Sequence, residues 1–301
     1  MVTKSSQSRI KPIALLKQLF WASRPVSWIN TAYPFGLAYI LLTGRIDATF
    51  WIGSLFFLIP YNLLMYGIND VFDYESDLRN PRKGSIEGSI LDKKWHRPTL
   101  LWAFLLPVPF VVYLLAVGSV ASGIWLLFFV FTVIAYSSPK LRFKEIPLVD
   151  SITSASHFVG PMIFGASLAG ADLLKDGSVF KIAAAFTFWG MASHAFGAVQ
   201  DIKADREGGL ASIATAFGAR DTVRFAFVAY LAAGLILTVA VWPIPVAALA
   251  AVPYLVIVAP FWNLTDENCE QANKGWRRFI WLNFFAGFVV TMLAIYTVIF
   301  K

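Results

Sequence analysis

Residues 50–77 read FWIGSLFFLIPYNLLMYGINDVFDYESD, in which an apolar run, 50–68, leads directly into an acidic segment, 69–77. The apolar run is long enough to cross the roughly 30 Å hydrocarbon core of a bilayer as a helix. Four of the residues in 69–77 are acidic, whereas charged residues make up only 14% of the whole chain. Carboxylates kept at the edge of a membrane span usually have a function. This stretch therefore predicts a membrane helix that ends in functional acids.

The composition of the whole chain indicates a polytopic membrane protein. Hydrophobic residues make up 58% of the 301 residues, and the mean hydropathy is +0.65. A soluble surface cannot cover that much apolar material. The sequence predicts an all-α fold, a single domain over residues 1–301, with nine transmembrane helices in one bundle. The predicted spans are 25–43, 50–68, 99–117, 119–136, 149–170, 179–199, 222–241, 244–262 and 279–299.

The basic residues predict the orientation of this bundle, because Lys and Arg concentrate in cytoplasmic loops. With nine spans, 21 of the 25 basic residues fall on the side of the N-terminus. This distribution predicts an N-in/C-out topology, with the acidic segment 69–77 on the cytoplasmic side. The net charge of +7 then reflects topology and contact with anionic lipid. No nucleic-acid partner is expected, since the sequence offers no soluble basic domain.

The spacing within the first acidic segment favours a shared helical face. Asn69, Asp73 and Asp77 are four residues apart, and Asp70 lies three before Asp73. All four can lie on one face if the second span continues past the membrane edge. Clustered carboxylates need a cation, and oxygen ligands without His or Cys favour Mg²⁺. We therefore expect a magnesium site that takes its remaining ligands from water and a substrate phosphate.

A second acidic segment, QDIKADREGG at 200–209, follows the sixth predicted span. Asp201 and Asp205 repeat the four-residue spacing on the same predicted side of the membrane. Two carboxylate pairs on two helices could hold a metal-diphosphate from opposite sides. Either segment alone also fits a solvated cluster at a helix end. Lys203, between the two acids, is a candidate contact for the diphosphate.

The loop after the fourth predicted span supplies cations and reads YSSPKLRFK at 136–144. Lys140, Arg142 and Lys144 could donate charge-assisted hydrogen bonds to a departing diphosphate, and such bonds strengthen as negative charge develops. The positive-inside rule alone also explains these charges, but it does not explain the adjacent Tyr136. Further candidates follow the first acidic segment and are Arg79, Arg82 and Lys83.

Together these motifs resemble those of the UbiA superfamily of intramembrane prenyltransferases. The resemblance rests on NDxxDxxxD at 69–77, YxxxK at 136–140 and DxxxD at 201–205, in family order, and extends to Ser-Arg-Pro at 23–25. It implies a nine-helix bundle around a central cavity that opens to lipid. It also implies two Mg²⁺ ions that bridge the acidic motifs to an isoprenyl diphosphate. Loss of diphosphate leaves an allylic carbocation, which an electron-rich acceptor attacks.

The resemblance also implies roles for individual residues. The metal ligands would be Asp70, Asp73, Asp77, Asp201 and Asp205. Tyr136 and Lys140 would take part in catalysis with these acids, and Asn69 would contact the diphosphate. Such a family member would be an integral protein of a prokaryotic plasma membrane, with its active site toward the cytoplasm.

The loop NPRKGSIEGS at 80–89 bears on the acceptor. It departs from the Arg-Pro-x-x-x-Gly stretch of many family members that prenylate aromatic acids. Together with 69–75, it looks most similar to the lycopene elongases, which add dimethylallyl units to the ends of lycopene and in some cases hydrate the product. Two alternatives stay open: an aromatic acceptor such as a quinone precursor, and a membrane transporter. A transporter is expected to bury its charge near the midplane.

A few other residues in or near the spans are candidates for binding or proton transfer. Asp150 is expected to cap the fifth span or to pair with a loop cation. His157 and His194 are expected to form interhelical hydrogen bonds, with the alternative that one of them handles a proton or a water as the product cation is quenched. Aromatic side chains that could shield an allylic cation are Trp28, Tyr33, Tyr66, Phe72, Tyr74 and Phe196.

Overall fold

The computed structural model of the chain describes residues 11–78 and 90–300, and all regular structure in these residues is helical. This confirms the predicted all-α class. The α-helices are α1 (Pro12–Ala22), α2 (Trp28–Thr43), α3 (Ala48–Leu58), α4 (Pro60–Phe72), α5 (Tyr74–Asp77), α6 (Lys93–Leu105), α7 (Pro107–Val117), α8 (Val120–Ser137), α9 (Val149–Leu168), α10 (Gly177–Val199), α11 (Ile202–Glu207), α12 (Ile213–Thr238), α13 (Ala251–Val258) and α14 (Asn273–Ile299).

Proline interrupts two of the long apolar stretches, as expected for membrane helices. Pro60 is the first residue of α4 and separates it from α3, and Pro107 separates α7 from α6 in the same way. Proline has no backbone N–H and its ring displaces the preceding turn, so the helix bends or restarts there. The predicted span 50–68 is therefore built from two consecutive helices, α3 and α4.

Seven helical stretches in the described residues are long and apolar enough to cross a membrane, so the chain is an integral membrane protein. Two of the nine predicted spans fall outside this set. The helix α2 has only 16 residues, fewer than the roughly 20 that a straight span needs. The helix α9 contains Asp150, His157 and several hydroxyl side chains, which lower its apolarity. The seven stretches are Ala48–Phe72, Lys93–Val117, Val120–Ser137, Gly177–Val199, Ile213–Thr238, Ile244–Phe261 and Asp266–Ile299.

The helix α9 packs against α2, α8 and α10, and glycines allow its neighbours to approach closely. A Cβ placed on Gly165 of α9 would lie 2.7 Å from the backbone oxygen of Phe35 in α2. A Cβ on Gly190 of α10 would lie 2.8 Å from the Cβ of Ala155 in α9. Small residues at helix contacts of this kind are typical of membrane bundles. The close packing fixes the polar face of α9 against α8 and α10.

Candidate active site

A large cavity of 2230 Å³ lies between the helices. Pockets for small ligands usually enclose about 300–1,000 Å³. Asp176, at the N-terminal end of α10, and Asp201, just beyond its C-terminal end, both line this cavity. The cavity therefore extends along the whole of α10, a distance of about 35 Å for a helix of that length. Its walls are mostly apolar, and the predicted charged residues that line it are Asp73, Asp77, Arg142, Lys144, Asp201 and Asp205.

The first acidic segment is bent where a continuous helix was expected. The helix α4 ends at Phe72, Asp73 is its C-terminal cap, and α5 begins at Tyr74. Asp73 and Asp77 line the cavity, whereas Asp70 does not. The structure therefore places Asp73 and Asp77 on the cavity wall and Asp70 within α4, three residues before its C-terminal cap.

Asp70 is instead part of a buried ion pair with Arg24. The Arg24 Nη2 atom donates to Asp70 Oδ1 at 2.7 Å, and Asp70 is only 3% exposed. The Arg24 guanidinium also lies over the Tyr66 ring, 4.2 Å from its centroid, a favourable cation–π geometry. Arg24 adopts a left-handed backbone conformation with φ of 51° at the start of the turn before α2. The motif match at 23–25 was the only sign in the sequence that Arg24 would contribute to the site.

Asp73 is the residue around which several predicted side chains meet. Asn69 donates through Nδ2 to Asp73 Oδ2 at 2.6 Å and to the Ser137 hydroxyl at 3.0 Å. Lys144 forms an ion pair with Asp73, and Arg142 Nη2 lies 3.7 Å from Asp73 Oδ1. The structure thus brings together an amide, a carboxylate and two cations from the end of α4 and the loop after α8.

Glu145 holds Arg142 in this position. Arg142 donates through Nε to Glu145 Oε1 at 2.7 Å. This hydrogen bond raises the pKa of the Arg142 guanidinium, and the charge of Asp73 acts in the same direction. Arg142 lies in the loop between α8 and α9 and lines the cavity with Lys144. Both cations are therefore directed to the end of the cavity where the acids lie.

The second acidic segment reaches the same end of the cavity. The helix α10 ends at Val199, and Asp201 is the N-terminal cap residue of the short helix α11. Asp201 and Asp205 are partly buried, and both line the cavity. Gln200 fixes the junction, since it donates to the Gly197 carbonyl at 2.8 Å and accepts from Asn273 at 2.5 Å. Four of the five predicted metal ligands therefore face one cavity.

Two predicted cations lie elsewhere. Lys140 is exposed in the turn after α8, with φ of 75°, and is not among the residues that line the cavity. Lys203 is also exposed and forms an ion pair with Glu270 at 3.0 Å, away from the cavity wall. Arg79, Arg82 and Lys83, like the loop 80–89, lie outside the described residues.

A polar cluster lies deeper in the cavity, next to Tyr136. The Tyr136 ring lines the cavity between two imidazoles, with its centroid 5.0 Å from that of His157 and 6.5 Å from that of His194. Asp150 is fully buried and accepts from the Ile213 backbone N–H at 2.6 Å. Asp150 was expected to cap its own helix or to pair with a loop cation. Its carboxylate accepts from the Ser151 N–H in the first turn of α9 and also caps α12, and His194 Nε2 lies 3.6 Å from its Oδ2 atom.

Aromatic side chains form much of the cavity wall. Of the six that were named from sequence, Tyr33, Tyr66 and Phe72 line the cavity. Trp28, Tyr74 and Phe196 do not, since each packs against neighbouring helices or loops. The wall also contains aromatic residues that lie far from the motifs in sequence, and these are Trp189, Tyr230, Tyr254 and Trp276.

The oxygen donors fit a metal ion that is shared with a phosphate ligand. Among the residues that the structure describes, no three His, Cys, Asp or Glu side chains are close enough to hold a metal by themselves. Asp73 and Asp77 on one side and Asp201 and Asp205 on the other nevertheless line the same cavity. Mg²⁺ commonly binds one or two carboxylates and completes its shell with water and substrate phosphates. The donor set therefore suits a magnesium-diphosphate complex.

Comparison with known proteins supports the interpretation of the fold and the motifs. Residues 31–285 match the UbiA prenyltransferase family. A lycopene elongase/hydratase of Corynebacterium glutamicum is 51% identical over 93% of this chain and 97% of its own length. The C(50) beta-cyclic carotenoids biosynthesis protein LbtBC of Dietzia sp. is 55% identical over 95% of this chain, and the match spans 66% of that longer protein.

Solved structures show the same fold at low sequence identity. A UbiA homolog from Archaeoglobus fulgidus bound to GPP and Mg²⁺ has a TM-score of 0.67 at 18% identity, and covers 89% of this chain and 99% of its own. The same homolog bound to DMAPP and Mg²⁺ has a TM-score of 0.64 at 19% identity, with 89% and 98% coverage. The predicted resemblance, including that to the lycopene elongases, is confirmed. The chain is a prenyltransferase and belongs to the UbiA prenyltransferase family.

Proposed function

We propose that this chain is a Mg²⁺-dependent intramembrane prenyltransferase that transfers a dimethylallyl group to the ends of lycopene. Its donor would be an allylic diphosphate, dimethylallyl diphosphate. Its acceptor would enter the cavity from the bilayer. The product would be a long-chain carotenoid.

One observation carries this proposal: Asp73, Asp77, Asp201 and Asp205 all line one large cavity whose wall is mostly apolar. A polar end suits a diphosphate, and an apolar body suits a hydrocarbon. The buried acids are costly in a membrane protein and lie at one edge of the bundle, which favours an enzyme of this type over a transporter.

The side chains around Asp73 would bind and orient the diphosphate. Lys144 and Arg142 lie beside Asp73, so a diphosphate bound there would be within reach of both cations. Their hydrogen bonds strengthen as the carbon–oxygen bond breaks and charge accumulates on the leaving oxygen. Mg²⁺, two ions in the proposed complex, would supply Lewis-acid stabilisation of the same charge. Asp73, Asp77, Asp201 and Asp205 would hold the metal.

The cavity wall would protect the allylic cation that remains. Tyr66 and Phe72 line the cavity next to the acidic segment, and their π-faces can stabilise a cation. The apolar wall would exclude water from most of the cavity, which would favour attack by the acceptor double bond over hydrolysis.

The choice of lycopene rests on the relatives and on the shape of the cavity. Two of the relatives carry names that refer to lycopene elongation or C(50) carotenoids. The cavity extends along the whole of α10, which is the length that a long polyene requires. The bundle would cross a prokaryotic plasma membrane nine times as one domain, N-in/C-out, with the acids toward the cytoplasm.

Expression of the chain in lycopene-producing cells tests the acceptor. We expect carotenoids heavier than lycopene by one or two five-carbon units, as measured by mass spectrometry. A matched strain that expresses the Asp73→Asn variant should accumulate lycopene without added five-carbon units. If the wild-type strain also keeps unchanged lycopene but prenylates an added hydroxybenzoate or naphthoate, the acceptor is aromatic and the lycopene assignment is wrong.

A further inference from the structure

His194 and Asp150 form an imidazole–carboxylate pair that the diphosphate site does not explain. His194 Nε2 lies 3.6 Å from Asp150 Oδ2, and His194 lines the cavity whereas Asp150 is fully buried. Two backbone N–H groups, of Ser151 and Ile213, each donate to Asp150 at 2.6 Å and hold the carboxylate in place. A carboxylate beside one ring nitrogen holds the proton there and leaves the other nitrogen, here Nδ1, as the base.

The cavity wall around His194 is polar, unlike most of the cavity. Tyr136, Ser154 and Ser193 line the cavity there with His194. The Ser193 hydroxyl is 2.8 Å from the Tyr230 hydroxyl, which ties this part of the wall to α12. An ordered water inside a protein requires two to four polar partners. These side chains offer enough partners for one water next to the imidazole.

The distance of the His194–Asp150 pair from Asp201 suits contact with the carbon atoms of the substrate. His194 precedes Asp201 by seven residues at the C-terminal end of α10. That separation is two helical turns, or about 10 Å along the helix axis. With the diphosphate bound near Asp201, as proposed, His194 would lie beside the prenyl carbons and the new carbon–carbon bond.

On the basis of the proposed function, we propose that His194 directs hydration of the coupled product. Attack of the acceptor double bond on the dimethylallyl cation forms a carbon–carbon bond and leaves a tertiary carbocation. A water held by His194 adds its lone pair to that carbon. The O–H bond then breaks, and the proton moves to Nδ1 of His194. The product is a tertiary alcohol, and the Asp150 carboxylate stabilises the imidazolium that forms.

His194 is the catalytic residue in this step, and Asp150 positions it. General bases commonly contribute about 10²–10⁴-fold to the step that they assist. Loss of His194 should therefore change how the cation is quenched much more than whether diphosphate is released, because release precedes coupling.

The test uses the full chain in lipid nanodiscs with lycopene, dimethylallyl diphosphate, Mg²⁺ and water enriched in ¹⁸O. We expect the wild type to form alcohols that carry one ¹⁸O per hydroxyl group. In His194→Gln, the ratio of alcohol to alkene product should fall at least tenfold, while diphosphate release falls less than about threefold. His194→Asn, tested in parallel, should shift the ratio in the same direction.

The matched control is His96→Gln, which removes an imidazole that packs against Tyr74 and does not line the cavity. This variant should keep the wild-type ratio of alcohol to alkene. Asp150→Asn keeps a hydrogen-bond acceptor but loses the charge, and it should lower the ratio. A purely structural role of Asp150 would lower the yield of folded protein and leave the ratio unchanged.

Two results would overturn this assignment. One is a wild-type enzyme that elongates lycopene but forms only alkene. The other is an unchanged ratio of alcohol to alkene in folded His194→Gln and His194→Asn. A wild-type protein that releases no diphosphate at all would instead refute the proposed function, so the two failures can be told apart.

Discussion

At the scale of single residues, Asp73 organises the proposed diphosphate site. Asn69, Arg142 and Lys144 all lie against it, although they come from two segments that are far apart in sequence. The family motif YxxxK points to Lys140, whereas the geometry points to Lys144. The two lysines therefore allow the geometry to be tested against the motif.

We predict that Lys144→Ala lowers diphosphate release more than Lys140→Ala does. Lys144 lines the cavity beside Asp73, and Lys140 is exposed outside it. Removal of one donor to a developing negative charge typically costs about 10²–10³ in rate. The measurement is the initial rate of diphosphate release by each purified variant. Equal losses, or a larger loss in Lys140→Ala, would favour the motif assignment.

A second prediction concerns the stability of the Arg24–Asp70 pair. Arg24→Ala would leave a buried carboxylate without this cation, and such changes cost about 3–5 kcal/mol. Addition of Asp70→Asn in the same chain should recover much of the loss. The exposed pair of Lys93 and Glu75 supplies the control, since Lys93→Ala should leave the stability nearly unchanged. Unfolding titrations in mixed micelles would measure these differences, and similar losses for Arg24→Ala and Lys93→Ala would contradict the account.

The sequence predicted the acids of the site better than their partners. Asp73, Asp77, Asp201 and Asp205 were recognised because helical spacing is a local property, and all four line the cavity. The partners of Asp70 and Asp150 lie 46 and 44 residues away in sequence, and spacing carries no information over such distances. Tertiary packing alone pairs Asp70 with Arg24 and Asp150 with His194.

At the scale of helices, short-range features decide where each functional side chain lies. Asp73, at the end of α4, and Asp77, in α5, line the cavity, whereas Asp70, inside α4, pairs with Arg24. Periodicity predicted a helix through this region but not its end, because no Pro or Gly marks the turn. The proline breaks at Pro60 and Pro107, by contrast, follow directly from the covalent structure of proline.

The contact between α2 and α9 yields a third prediction. A Cβ on Gly165 would lie 2.7 Å from the backbone oxygen of Phe35, and a backbone atom cannot rotate away. Gly165→Ala should therefore destabilise the protein by about 1–3 kcal/mol. The control is Gly177→Ala. A Cβ on Gly177 would have no neighbour within 4 Å, so this substitution should leave the stability unchanged or raise it slightly. The measurement is the thermal unfolding of both variants in one detergent. Equal stability of the two variants would show that α2 and α9 are packed less tightly than this contact implies.

At the scale of the whole molecule, the number of crossings follows from whether α2 and α9 span the membrane. Both have hydrophobic residues buried in the bundle, Phe35 in α2 and Phe164 in α9. The polar residues of α9 face neighbouring helices, so mean hydropathy alone does not identify α9 as a membrane span. The distribution of basic residues favours nine crossings. Lys175 follows α9, and it lies on the side opposite the Lys- and Arg-rich cytoplasmic loops only if α9 crosses the membrane.

Labelling of single cysteines tests this topology. In a Cys269→Ser background, Lys94→Cys and Lys175→Cys place one thiol at each of two exposed positions. Three crossings separate these positions in the nine-span topology, and only two separate them if α9 does not cross. A membrane-impermeant maleimide should therefore label Lys175→Cys in intact cells and Lys94→Cys only after permeabilisation. Labelling of both from the same side would contradict the nine-span arrangement.

The most direct test of the central claim is diphosphate release by the purified protein in nanodiscs, with dimethylallyl diphosphate as the substrate. We predict release that requires Mg²⁺ and is lost, by at least about 100-fold, in both Asp73→Asn and Asp201→Asn. Asp172→Asn, at an exposed carboxylate outside the cavity, should keep the wild-type rate. Release that persists without Mg²⁺, or that survives in both Asp73→Asn and Asp201→Asn, would contradict the claim that the two acidic segments bind one metal-diphosphate.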